Sequence, residues 1–243
     1  MTSRVGATAR RGLRRVRRSL GDSPVFLPIV LRATPLGTTR RLTADTALVI
    51  EGMPRSGNTF ARHAFDLAQP SPVVVSSHVH TPSAVVAAVR RNIPTLVLIR
   101  QPLDTVLSLI VAAPHVGFRA AIDEWIHHYE VLWPLRDQFV VATFDQVTDD
   151  FGAVTARVNE RFGTAFACFA HDGASTQAVF ASIEAEHLAV HGGTEHAVPR
   201  PSSQRRALRQ ELEERAADPG LSSSWERADA VWCRYRALAG TPG

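Results

Sequence analysis

LVIEGMPRSGNTFARHAF, residues 48 to 65, runs from an apolar stretch through a glycine-bounded loop into the start of a helix. Gly52 and Gly57 stand five apart and Thr59 follows, the spacing of a loop that cradles a phosphate between a strand and a helix. A nucleotide triphosphatase would place a lysine where this chain has Asn58, and the loop instead carries its cation internally, at Arg55. Backbone N–H groups in such a loop converge on an anion at a helix N-terminus, where the helix dipole adds about half a positive charge. Ser56 and Thr59 add hydroxyls, and the Arg55 guanidinium can reach a ligand oxygen. Phosphate and sulfate both fit, so the stretch predicts anion binding.

Outward from the loop, the pattern alternates. Ala47–Glu51 reads as a buried strand and Thr59–Leu67 as a helix, ended by Gln69-Pro70-Ser71-Pro72. Val73–Ser77 reads as a second strand, followed by a helix capped by Ser83 and running to about Arg91, then a third strand, Thr95–Ile99. This order predicts an α/β fold with a central parallel sheet flanked by helices, whose ligands bind beyond the carboxyl ends of the strands. Three places qualify: the loop itself, His78 with His80, and Arg100. The last opens the segment Arg100-Gln101-Pro102-Leu103-Asp104-Thr105-Val106-Leu107-Ser108, where Pro102 suits a first helical turn and Asp104 complements its dipole. Arg100 and Ser108 together can hold a second phosphate.

Pro54-Arg55-Ser56-Gly57-Asn58-Thr59-Phe60 resembles the 5'-phosphosulfate loop of the sulfotransferases that use 3'-phosphoadenosine 5'-phosphosulfate (PAPS), in its arginine form. The segment from Arg100 to Ser108 resembles their 3'-phosphate motif, and the likeness extends from Ala47 to about Phe166, taking in Trp125 and Tyr129. It implies a single P-loop-type domain at residues 43–243, PAPS as sulfuryl donor and no metal. It also implies His78 as general base with His80 as its rival, and Arg55 as the cation on the leaving phosphate. Ser56, Gly57, Asn58 and Thr59 would hold the 5' end, Phe60 would stack on adenine, and a late basic residue, Arg200 or Arg205, would return to the 3'-phosphate. Residue chemistry agrees, since in-line transfer to a hydroxyl or amine needs a base for the acceptor proton and cations for the leaving group. Two other readings stay open: a kinase or nucleotide hydrolase of the same fold, and a non-catalytic anion-binding protein. The acceptor side, with His80, His115 and Phe118, contains no carboxylate to greet a cationic amine. A hydroxylated small molecule or lipid-linked glycan is therefore expected, in keeping with the apolar Ala112-Ala113-Pro114 and Val116 nearby.

The chain has 243 residues, 45% of them apolar, enough for a full core. Its net charge of +4 is unevenly distributed: residues 1–42 hold ten arginines against the single acid Asp22, and the remainder is net acidic. Within this basic arm Leu13, Val16 and Leu20 form a small apolar stripe among arginines, a pattern for peripheral contact with anionic lipid, though so small a face favours a solvated tail. No apolar run approaches the roughly 20 residues that span a bilayer, no secretory leader is recognisable, and nothing marks a specific nucleic-acid site. A cytoplasmic protein is expected, with or without membrane association through the arm. Cys168 and Cys233 lack metal-ligand or disulfide-framework spacing. Further along, helices are expected at Arg119–Leu132, Val147–Phe162, Gln204–Ala216 and Trp225–Leu238, the last with a stripe of Val231, Tyr235 and Leu238, and a fourth strand at Phe139–Phe144. His127 and His128 read as ordinary helix-face residues, and the stretch from Ala170, with its scattered glycines and histidines, as an irregular lid.

Overall fold

The computed structural model describes residues 42–191 and 203–240, with backbone alone for 190, 191 and 203–207. The basic arm therefore lies, Leu42 apart, outside the described residues, as does Arg200. Four strands, β1 (Leu48–Gly52), β2 (Val75–Ser77), β3 (Thr95–Ile99) and β4 (Val140–Thr143), form one sheet in the order β2-β1-β3-β4, and every pairing is parallel. The register aligns Ile50 with Ser77, Gly52 with Leu98 and Ile99 with Thr143. All four strands thus end at one edge, with β1 between β2 and β3. The chain leaves β1 between the exits of β2 and β3, which sets the glycine loop between the histidines and Arg100.

The helices are α1 (Asn58–Ala68), α2 (Pro82–Val89), α3 (Pro102–Ala112), α4 (Phe118–Leu132), α5 (Phe144–Asp149), α6 (Phe151–Phe162), α7 (Gly173–His191), α8 (Ser203–Ala216) and α9 (Ser222–Ala239). Side chains alternate across a strand, so a sheet covered on both sides favours apolar residues on both faces. Val97, Ile99 and Val141 pack into one core with α2, α3, α4, α8 and α9, while Leu48, Ile50, Leu96, Leu98, Val140 and Ala142 pack into the other with α1, α5, α6 and α7. The last residue of β1 is Gly52, where a Cβ would collide with the Leu98 carbonyl oxygen of the neighbouring strand.

Four sequence expectations need correction. The helix expected at 147–162 is two helices: the Thr143 hydroxyl and the Gln146 side chain form a capping box that starts α5 directly at the strand end, and Asp150, extended at φ −154°, interrupts it and caps α6 through the Ala153 N–H. The lid expected from Ala170 is the 19-residue helix α7, started by Asp172, which accepts the Ser175 N–H, and anchored by buried Val179 and Ile183. Ser83 does not cap α2; its hydroxyl donates to Thr81, the N-cap residue. In α9 the buried stripe runs through Ala228, Val231, Tyr235 and Ala239, and Leu238 is exposed.

Candidate active site

The loop between β1 and α1 is held from within and from below. Gly57 takes φ 95°, a left-handed conformation natural to glycine, and Arg55 takes φ 77° without that freedom. The Met53 carbonyl accepts the Ser56 N–H at 3.2 Å and the Asn58 Nδ2 at 3.1 Å. Beneath lies Tyr129 of α4, wholly buried; its hydroxyl donates to the Leu98 carbonyl at 2.9 Å, receives the Met53 N–H at 3.4 Å and meets the Ser56 hydroxyl at 3.3 Å. Burial pushes the Tyr129 phenol well above its ordinary range, so it stays protonated. The Ser56 and Asn58 side chains, expected as ligand donors, are buried braces of the loop instead. Anion-facing donors remain in the first helical N–H groups of α1, which have no intrahelical acceptor.

Phe60 is likewise corrected. Its ring is 7% exposed and sits in the core against Phe169, His171 and Phe180, at centroid distances of 6.4, 5.9 and 5.9 Å, so it is not placed to stack on adenine. An aromatic that does border the loop is Phe144, which follows β4: its ring is the nearest neighbour that a Cβ at Gly57 would meet, and the Arg100 guanidinium lies over it at 4.0 Å.

The cations come together. Arg55 Nε donates to Ser108 Oγ at 2.9 Å, and Arg100 Nη1 donates to the Arg55 carbonyl at 3.3 Å. Arg100 Nε is buried and meets no acceptor among the described residues. Desolvation lowers the Arg100 pKa, partly offset by Asp104 and reinforced by Arg209 of α8. Arg209 forms an ion pair with Asp104 and reaches Glu213 at 2.8 Å. Arg209 thus stands at the Arg100 end of the site, on α8; Arg200, expected there, lies outside the described residues, and Arg205 is described by its backbone alone.

The histidines follow β2 in a turn that is unusual in its backbone. Of the four non-glycine residues with positive φ among the described residues, three are Arg55, His78 (φ 62°) and His80 (φ 56°), each conformation costing of order 1–3 kcal/mol. His78 Nδ1 lies 2.8 Å from the Ser77 hydroxyl and Nε2 lies 3.2 Å from the Thr59 hydroxyl, tying the ring to the first turn of α1. His80 Nδ1 donates to the Gly52 carbonyl at 2.9 Å, so the neutral ring carries its lone pair on Nε2. Their centroids are 5.5 Å apart. Glu51, buried in β1, accepts the N–H groups of Val79 and His80. Its signal in the sequence is a lone carboxylate in an apolar strand. His128 is not a helix-face residue: it is buried on α4, its Nε2 has no partner among the described residues, and desolvation with help from His80 and His127 pushes its pKa down to about 3.

The expected acceptor wall is less assembled. His115 is exposed on the α3–α4 loop, while Phe118 packs partly buried on the core with the Arg215 guanidinium 5.7 Å from its ring. Among the described residues no group of three or more His, Cys, Asp or Glu is arranged to hold a metal, and no helix is long and apolar enough to cross a membrane.

No family model matches the chain, and no curated protein does. Among solved structures the chain is similar to mouse sulfotransferase SULT7A1 complexed with PAP, with a TM-score of 0.44 and 11% sequence identity, over 79% of this chain and 88% of that one.

Proposed function

We propose that this chain transfers a sulfuryl group from PAPS to an acceptor hydroxyl. One observation carries the reading: the bonds from Arg55 to Ser108 and from Arg100 to the Arg55 carbonyl join two anion-binding motifs into a single cationic site beside a histidine pair. The residues suit the two charged ends of the donor. The 5' end belongs on the Arg55 loop and the first N–H groups of α1, and the 3'-phosphate belongs with Arg100, Ser108 and Arg209, where the buried Arg100 Nε meets no acceptor among the described residues. When bound, the donor supplies a sulfur open to in-line attack and a phosphate leaving group. His78 takes the proton of the acceptor hydroxyl as its oxygen bonds to sulfur, and Arg55 offsets the charge gained by the departing phosphate oxygen. His78 is preferred to His80 because its Nε2 lies against Thr59 of the anion loop, while His80 is turned to the end of β1. The acceptor class proposed is a hydroxylated small molecule or lipid-linked glycan.

Calorimetry with adenosine 3',5'-bisphosphate, compared with ATP plus magnesium, tests the donor. The bisphosphate is expected to bind tighter; tighter binding of ATP would favour a nucleotide kinase or hydrolase. Arg100→Ala and Ser108→Ala should weaken bisphosphate binding by about 1.5–3 kcal/mol, the range for hydrogen bonds to charged groups. His78→Ala should spare binding and abolish turnover. Equal losses of binding in all three variants would overturn the division of roles, and an active His78→Ala with a dead His80→Ala would move the base by two residues.

A further inference from the structure

We propose that Glu51 is the positioning residue of the histidine turn, the group that fixes where His78 and His80 present their rings. The turnover consequence rests on the function proposed above, whereas the structural assignment does not. A carboxylate inside a buried parallel strand is unfavourable unless both oxygens are served. Glu51 is 0% exposed, and its two oxygens take two successive backbone donors: Oε1 accepts the Val79 N–H at 2.7 Å and Oε2 the His80 N–H at 3.0 Å. Successive N–H groups turned to one side form a concavity that binds anions. Here the anion is a side chain of the neighbouring strand rather than a ligand.

The register explains why this residue does it. Ile50 pairs with Ser77, the last residue of β2, so Glu51 stands level with the point where β2 stops. By drawing the next two N–H groups onto its own carboxylate, Glu51 turns the chain out of the strand, and His78 and His80 take left-handed backbone on either side of Val79. The Val79 side chain is buried with Ala84, which anchors the middle of the turn. Both imidazoles are thereby held with fixed partners, His78 between Ser77 and Thr59, His80 on the Gly52 carbonyl with Glu51 Oε2 4.0 Å from its Nδ1. Positive φ is uncommon for any residue but glycine, histidine included, so the local sequence of the turn does not by itself impose two such residues on either side of Val79. The long-range carboxylate does.

The test uses the full chain with Glu51→Gln and Glu51→Ala. Glutamine offers one acceptor and one donor where two N–H donors arrive, and alanine offers nothing. Ring 15N shifts of His78 and His80 report tautomer and mobility, and calorimetry reports adenosine 3',5'-bisphosphate affinity. Both variants are expected to replace the defined ring signals of His78 by those of an averaged, mobile imidazole. Bisphosphate Kd should stay within about threefold, less than 1 kcal/mol, with kcat reduced at least about tenfold. Unchanged ring signals would overturn the proposal, as would loss of bisphosphate affinity with the rings undisturbed, which would assign Glu51 to the loop. Should the alanine variant fail to fold, the near-isosteric glutamine variant decides. Should the wild-type chain bind no bisphosphate, the proposed function falls, and the ring signals still decide the role of Glu51.

Discussion

The Tyr129 hydroxyl serves the Leu98 carbonyl, the Met53 N–H and the Ser56 hydroxyl at once, all in the dry interior under the loop. Tyr129→Phe keeps the ring and removes the hub, leaving buried polar groups unserved at about 1–3 kcal/mol. Expected outcomes are a lower melting temperature and weaker bisphosphate binding, because the loop loses its support; a change in stability with unaltered affinity would show that the loop holds its shape unaided. Gly57→Ala acts on the backbone itself: at φ 95° an alanine is strained, and its Cβ would press on Phe144 at 3.3 Å. The cost should exceed the roughly 0.4–1 kcal/mol scale of compatible Gly-to-Ala changes, and with opposite sign. Chemical denaturation checks it, and an equally stable variant would mean that the loop relaxes to another turn.

Helix α7 is held to α1 by a polar clamp within an apolar contact: His63 Nδ1 lies 2.9 Å from the Ser182 hydroxyl and Nε2 lies 2.7 Å from Glu186. His63→Ala is expected to cost about 1–2 kcal/mol, toward the lower end because the Glu186 side chain is 55% exposed and screened by solvent. Hydrogen exchange should show faster opening of α7 with the sheet unaffected; unchanged exchange in α7 would contradict this. At this scale the sequence was readable wherever local chemistry sets the boundary. β3 and α3 begin and end where their apolar run and Pro102 place them. The start of α5 directly at the strand end had a readable signal in Thr143-x-x-Gln146, but α7 had none, since its buried face consists of few residues and depends on α1 for its burial. The site divides in the same way. Arg55, Arg100, Ser108, His78 and His80 follow from spacing and the strand-end rule, and the structure puts the first three in hydrogen-bond contact. Glu51, Tyr129 and Arg209 reach the site from 28 to 105 positions away in sequence, and no local pattern announces such contacts.

For the whole molecule, the parallel sheet gathers the positive groups at one edge, and the buried His128 gives its stability a pH dependence. Its folded pKa of about 3 lies below the ordinary 6.5 of an unfolded chain. Between those values the unfolded state binds the extra proton, so this contribution is intact above pH 6.5 and is lost as pH falls toward 3, by about 1.4 kcal/mol per pH unit. Denaturation across pH 7 to 4.5 should show that slope, and His128→Leu should flatten it; an unchanged slope in the variant would place its origin elsewhere. On the proposed function, the same gathering of Arg55, Arg100 and Arg209 is expected to make bisphosphate binding weaken with ionic strength, which titrations at rising salt would read. Mass spectrometry of the full chain incubated with PAPS and, in turn, phenols, glycans and lipid extracts reads sulfuryl transfer itself. A hydroxyl acceptor carrying an added sulfuryl group, absent with His78→Ala, is the predicted result; bisphosphate binding with no sulfated product from any class would contradict it and leave a non-catalytic anion-binding protein.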